Sequence, residues 1–399
     1  MQGLNKEFYF EFVHVPFKVS NPTRKNLEID SMQIFDELTI GIEEEYQIID
    51  TESRELTSFI SEFMEQGAML FNENVKPEFL QSQIEVGSSV CKDIKEARSE
   101  ICRLRNLVSD IAAKNNCNIV AAGTHPFSKW EDQLVTNKER YRGLLDSMQI
   151  VAKRLLIFGM HVHIGIKDRD LRIDIMNQMR YFMPHILALS TSSPFWWGQK
   201  TGFKSYRSIV FEDLPRTGIP ERFNSFMEYE QYIHTLIKCG CIDEATKIWW
   251  DIRPHPKFPT LEFRICDCTT KVNEVIAIAA LIQSIVAKLI KLRLLNQSWR
   301  TYRSSMIAEN KWRAIKDGVK GKLIDFGKQT EVPVSELAKE LIELIDDVLD
   351  PLGTRKDVEY LFTLLKEGSS ADRQISCYER TDSLEAVVDQ LSEETMMDC

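Results

Sequence analysis

The sequence predicts a mixed α/β or α+β protein, and two observations carry that reading. Several short stretches alternate apolar and polar residues with the period of two that marks a half-buried strand. Between them run longer stretches whose apolar residues recur every three or four positions, as on one face of a helix. Strands interleaved with helices give a sheet that helices must cover.

The first strand is expected over 38–49, around Thr39-Ile40-Gly41-Ile42-Glu43-Glu44-Glu45-Tyr46. Glu43, Glu45 and Gln47 share one face, Ile42, Tyr46 and Ile48 the other, and Glu44 falls on the apolar side. Like charges such as Glu43 and Glu45 at 4 Å would repel by roughly 4 kcal/mol at an effective dielectric near 20, so a cation should share their face. A second strand is expected over 78–86, with Gln81, Gln83 and Glu85 on one side. Ile94, Ala97, Ile101, Leu104, Val108 and Ile111 then mark a helical stripe, and 118–122 is a short strand. A helix over 142–158 should lead into Met160-His161-Val162-His163-Ile164-Gly165, where both histidines share a face. Residues 171–192 should be helical with a break near Pro184. Gly and Pro make 193–218 irregular, including Tyr206-Arg207-Ser208 and Leu214-Pro215-Arg216-Thr217-Gly218. A helix over 227–238 precedes Trp249-Trp250-Asp251-Ile252-Arg253-Pro254-His255-Pro256. In the strand 261–267 Leu261, Phe263 and Ile265 face the core, opposite Glu262 and Arg264. From Lys271 the pattern is mostly helical and ends in an acidic tail. Residues 1–37 show no sustained period and are expected to form an appended arm, with Met32 an alternative start. No repeat or flexible linker divides 38–399, which is expected to be one catalytic unit.

Composition narrows the class. The net charge of −10 argues against a nucleic-acid partner held through phosphates. Nine cysteines at irregular spacing cannot all pair within one chain, and reduced thiols in the cytoplasm are the simplest expectation. Cys239/Cys241 and Cys266/Cys268 fall short of the spacing of a zinc finger. The apolar run 275–295 carries Gln283, Lys288, Lys291 and Arg293, so it reads as a buried helix, and no membrane partner is expected.

The strands share a feature that packing does not require. Glu43/Glu45, Glu85, His161/His163 and Glu262/Arg264 each put chemistry on a single face, and in one sheet those faces merge into a polar wall. Clustered carboxylates suit a hard cation such as magnesium, and Arg207, Arg216, Arg253 and Arg264 suit phosphate or carboxylate oxygens. Metal-assisted phosphoryl transfer needs that mixture. Neither a P-loop nor a G-x-S-x-G elbow is present. His161 and His163 also allow a zinc hydrolase site, and a nucleotide-binding or regulatory protein that has lost turnover is a third reading.

The ordered set GIEEEY, QSQIEV, GMHVHIG, SYRS with LPRTG, WWDIRPHP and LEFRICD resembles the type 2 glutamate-cysteine ligase family, the carboxylate-amine ligases. The similarity continues through Glu309-Asn310-Lys311-Trp312-Arg313-Ala314 to Ala371-Asp372-Arg373-Gln374, covering about residue 38 onward. It implies an α+β, glutamine-synthetase-like fold, with a curved, mainly antiparallel sheet, the active site on its concave face and helices on the other. It implies phosphorylation of the glutamate side chain by ATP and attack by the amine of cysteine or another amine, as in glutathione biosynthesis. By position, Glu43, Glu45, Glu85, His161 and Glu262, with Glu78, match the metal-binding set for Mg2+ or Mn2+. Arg207 and Arg264 match the catalytic phosphate or substrate contacts; Arg216, Arg253 and His163 are further candidates for binding ATP or substrate. The partners implied are small molecules, with a homo-oligomer left open. Neither the acceptor amine nor the role of Cys266 and Cys268 is legible.

Overall fold

The structure, a computed structural model, describes residue 35 and residues 37–60, 63–64 and 74–399. The arm expected over 1–37, with Met32, lies outside the described residues apart from Phe35 and Glu37.

The described strands are β1 (Ile40–Asp50), β2 (Val75–Pro77), β3 (Gln83–Gly87), β4 (Cys117–Val120), β5 (Gly159–Gly165), β6 (Phe195–Trp196), β7 (Gln199–Lys200), β8 (Thr217–Gly218), β9 (Trp249–Trp250), β10 (Ile252–Pro254), β11 (Thr260–Asp267), β12 (Lys322–Asp325) and β13 (Thr330–Pro333). Seven of them form one sheet in the order β10-β11-β5-β1-β3-β2, with β4 joining the far end of β1. Every pairing within that sheet is antiparallel. β1 is its centre, pairing β5 on one side and β3 and β4 on the other. Its isoleucines suit a pleated, packed surface.

One face of the sheet is the core. Ile40, Ile42, Met160, Val162, Ile164, Leu261, Phe263 and Ile265 are buried with the apolar residues of the helix Val272–Leu294. Most of that helix is buried within the fold, so the run resembling a membrane span is a core helix. The helix Ile94–Ala113 is capped by Asp93, whose side chain accepts from the Glu96 N–H, and buries the expected stripe.

Glu44, the residue that broke the apolar alternation, is fully buried. Arg105 of that helix reaches it with Nη2 at 2.5 Å and Nε at 3.1 Å from the carboxylate oxygens, and the Tyr46 hydroxyl donates to it at 2.6 Å. Arg105 also donates to the carbonyls of Thr270 at 2.6 Å and Thr395 at 2.7 Å, the latter in the helix Leu384–Met396. The first and last parts of the described chain therefore meet beneath β1.

Several expectations are corrected. Residues 142–158 are not one helix: Glu139–Met148 and Ile150–Lys153 are separated at Gln149, whose φ of +50° breaks the helical path, and 154–158 run irregularly into β5. The second strand begins at Gln83 rather than 78, because residues 81–82 form a turn. Residues 206–208 are helical, not irregular: Ser205 caps the helix Tyr206–Phe211 by accepting from the Ser208 N–H. The C-terminal region contains the hairpin β12-β13 among its helices. Near Pro184 the helices Arg169–Met179 and Met183–Ser190 are divided by a 3-10 turn, with the proline in the first turn of the second, where its missing N–H costs nothing. All nine cysteines are free, and Cys266 and Cys268 are buried among apolar side chains.

Candidate active site

Strand register builds the site on the other face. Glu43 stands opposite His161 and Glu45 opposite Glu85. His163 stands opposite Glu262, and Glu262 in turn opposite Arg253. Lys76, on the edge strand β2, stands opposite Glu85. Directly opposed residues project on the same side of an antiparallel sheet, so one polar row crosses six strands without any loop having to deliver it.

The contacts follow from that register. His161 Nδ1 lies 3.1 Å from one oxygen of Glu43, and His163 Nε2 lies 3.5 Å from the other. Arg264 Nη1 also lies 3.5 Å from His161 Nδ1, but one nitrogen cannot both donate and accept, and the shorter contact makes Glu43 the acceptor of its proton. Glu262 receives Arg253 Nε at 2.7 Å and Arg264 Nη1 at 2.5 Å. Burial alone would raise the carboxyl of Glu43, but His161 and His163 overcome it and hold the group well below the carboxylate range. Burial likewise acts against Glu262, and Arg264, Arg253 and His163 outweigh it to hold the group ionised.

The other acids are arranged differently. Burial, reinforced by the charges of Glu78, Glu43 and Glu45, pushes Glu85 well above its usual range, and burial with the charge of Glu45 raises Glu78. The cation nearest Glu85 is Lys76, at 3.8 Å and more than half exposed. Glu45 accepts the Gly159 N–H at 2.5 Å. This trio is short of positive charge.

Gly159 has a second part in the site. A Cβ built on it would lie 3.0 Å from Cζ of Arg207 and closer still to Nη2, so the absent side chain is the space in which that guanidinium rests. Arg207 is buried, and its position traces back to Asp267, which receives the Ser193 and Ser205 hydroxyls, each at 2.7 Å. Ser193 Oγ in turn accepts the Arg207 N–H at 3.0 Å.

The row divides two cavities. The larger, about 400 Å³, contains Glu43, Glu45, Glu78, Glu85, His161, Arg207, Arg253, Glu262 and Arg264 in its walls. The second, about 360 Å³, adjoins Glu43 and His163 and extends past Gly41, Gly165, Val90 and Phe258. Arg216 borders neither. Its φ is +61°, its Nε donates to the Lys247 carbonyl at 3.0 Å, and its guanidinium lies 5.4 Å from the centre of the Trp249 ring. Gln47, expected on the polar face, is buried beyond the cleft and donates to the Ala122 carbonyl at 3.1 Å.

Sequence reasoning missed Lys76, Arg140, Tyr141, Lys257 and Phe258, which also line these cavities. Lys76 sits on a three-residue strand, too short to show a period. Arg140 and Tyr141 lie in a helix that only the tertiary fold brings to the sheet. His255 and Trp249 stand in the recognised WWDIRPHP segment, which was their signal.

A divalent ion fits the central row. Donor atoms of Glu43, His163 and Glu262 all lie within 4.8 Å of one another. Nε2 of His163, Nε of Arg207 and Nε of Arg264 are buried with no hydrogen-bond partner, a cost that a ligand at the site would remove.

A buried row of acids, imidazoles and guanidiniums between two cavities defines a site built to bring anions together around a cation. The comparisons identify the class. The model of glutamate-cysteine ligase family 2 matches residues 39–390, and the chain belongs to that family, of ATP-dependent carboxylate-amine ligases. A Herpetosiphon aurantiacus protein described as "Putative glutamate--cysteine ligase 2" is 55% identical over 358 residues, covering 90% of this chain and 93% of its own. A Sorangium cellulosum protein of the same description is 49% identical over 363 residues, covering 90% and 97%. Among solved structures, the Francisella tularensis glutamate-cysteine ligase in complex with AMP superposes with a TM-score of 0.67 at 14% identity, covering 90% of this chain and 89% of that one. A bifunctional glutathione synthetase from Pasteurella multocida gives 0.68 at 13% identity, over 92% of this chain and 53% of that one. At such identities the likeness speaks for the fold, the expected α+β one with a mainly antiparallel sheet.

Proposed function

We propose that the chain joins the side-chain carboxylate of glutamate to an amine, with cysteine the first candidate acceptor, Mg2+ the metal and Mn2+ its substitute. An oxygen of that carboxylate attacks the terminal phosphorus of ATP, and the bond to ADP breaks. The amine nitrogen then attacks the acyl carbon, loses a proton and expels phosphate. Phosphorylation is needed because a carboxylate by itself is a poor electrophile.

Glu43, His163 and Glu262 would hold the ion between the two cavities, with His161 orienting Glu43 and with Glu45, Glu78 and Glu85 beside them. When bound, the ion neutralises phosphate oxygens so that two anions can approach. Arg264 and Arg207 carry unpartnered buried donors toward the same oxygens. The nucleotide belongs in the second cavity. Phe258, which lines both cavities, is more than half exposed and stacks on His255 with ring centres 4.6 Å apart, leaving a flat face for a purine. Gly41 and Gly165 border it, and its inner end reaches Glu43 and His163. Glutamate and acceptor then share the larger cleft. The reading also takes 38–399 as one catalytic unit, 1–37 as an arm outside it, and the cytoplasm as its setting.

The observation that carries this reading is the strand register, which alone aligns the glutamates, histidines and arginines in one row. Glu43→Gln and Glu262→Gln should each abolish ADP release from Mg-ATP and glutamate while leaving the circular dichroism spectrum unchanged. Normal turnover in both variants would overturn the metal assignment.

A further inference from the structure

The larger cleft has a wall that neither glutamate nor phosphate explains. Beside its charged groups it is lined by Leu144, Leu155, Ile157, Phe211, Leu214 and Trp249. These side chains come from four separate segments: the helix Glu139–Met148, the irregular run before β5, the helix Tyr206–Phe211 with the turn after it, and β9. Leu144, Leu155, Phe211 and Trp249 keep part of their surface exposed. Trp249 is held from behind by the Arg216 guanidinium, which fixes its ring as a wall. Such a surface is complementary to apolar matter and gives a charged carboxylate nothing. Among the described residues no cysteine or methionine lines the cleft that could pack softly against a thiol.

The geometry points to an acceptor larger and more apolar than cysteine: a primary amine carrying an aromatic or branched aliphatic group. The apolar body would lie against Leu155, Phe211 and Trp249, and the amine would face the carboxylate-rich side formed by Glu45, Glu78 and Glu85. This rests on the ligase reading and on the nucleotide occupying the other cavity. It changes which acceptor the site selects, because six apolar side chains line the cleft where cysteine offers only one methylene and a thiol.

The test uses the full-length protein with Mg-ATP and glutamate. Hydroxylamine, a small nucleophile with no apolar body, first reports whether an acyl phosphate forms, through γ-glutamyl hydroxamate. A panel of cysteine, alanine, leucine, phenylalanine, phenethylamine and tryptamine is then compared by amide product and ADP release. The expected result is a kcat/KM for at least one aromatic or branched amine tenfold or more above that for cysteine. Trp249→Ala and Leu155→Ser should raise KM for that amine at least tenfold with KM for ATP and glutamate within twofold, and Trp249→Phe should recover most of the loss. Hydroxamate formation with cysteine preferred over every apolar amine overturns the inference and leaves the ligase reading standing. A rise in the KM for ATP in Trp249→Ala also overturns it, by making the wall the adenine site. Absence of hydroxamate and of ADP release with every amine overturns the ligase reading itself.

Discussion

At the scale of single residues, the site depends as much on missing atoms as on charged ones. Gly159 supplies its N–H to Glu45 and its empty Cβ position to Arg207. Because the nearest atoms are the far end of a flexible side chain, Gly159→Ala should fold with a stability change of about 1 kcal/mol or less. If Arg207 meets the phosphoryl group as proposed, kcat for ADP release should nevertheless fall at least tenfold while KM for the acceptor changes little. Wild-type kcat in Gly159→Ala would show that the position of Arg207 is unimportant. Much of this scale was legible in advance: Glu43, Glu45, Glu85, His161, Glu262 and Arg264 form the polar faces of period-two strands, and the strand register gathers those faces into one row. Arg216 was misleading, because an arginine in a Pro/Gly loop announces neither its backbone twist nor the indole on which it rests. Glu44 was legible only as a fault in the pattern, since its partner Arg105 is 61 residues away.

At the scale of elements, β1 is clamped from both faces. Its polar side is held by His161 and His163, and its apolar side by the buried pair of Glu44 and Arg105. Removing one partner of such a pair strands a charge in the core, so Arg105→Met should cost about 3–5 kcal/mol in urea unfolding. Combining it with Glu44→Gln should recover part of that loss, because the stranded charge is then gone. Equal stability of Arg105→Met and the native protein would refute a structural role for the pair. Strands were easier to find than helix ends. Period-two alternation survives in the sequence, whereas the break at Gln149 depends on a left-handed backbone that no residue pattern there signals.

At the scale of the whole molecule, buried neutral histidines make stability depend on pH. His125 accepts the Phe127 and Ser128 N–H groups on Nδ1 and donates from Nε2 to the Arg54 carbonyl, and burial pushes it down to about 4. His185, in the wall of a small apolar cavity with Leu189, Leu281 and Leu341, is likewise pushed down by burial to about 4. In the unfolded chain both take up a proton near pH 6.5, so the fold is favoured fully above that value and loses support as pH falls toward 4. Each histidine accounts for about 3 kcal/mol of that loss. His185→Leu should therefore flatten the decline in unfolding free energy between pH 6.5 and 4.5, and an unaltered slope would count against its burial as a neutral group. The grip of Arg105 on the Thr395 carbonyl carries a different consequence, one of timing. During synthesis β1 leaves the ribosome well before the helix Leu384–Met396, so this contact of Arg105 closes only once Thr395 has emerged. Until then Arg105 can hold Glu44 and the Thr270 carbonyl but lacks one of its buried acceptors, so β1 gains this tie late.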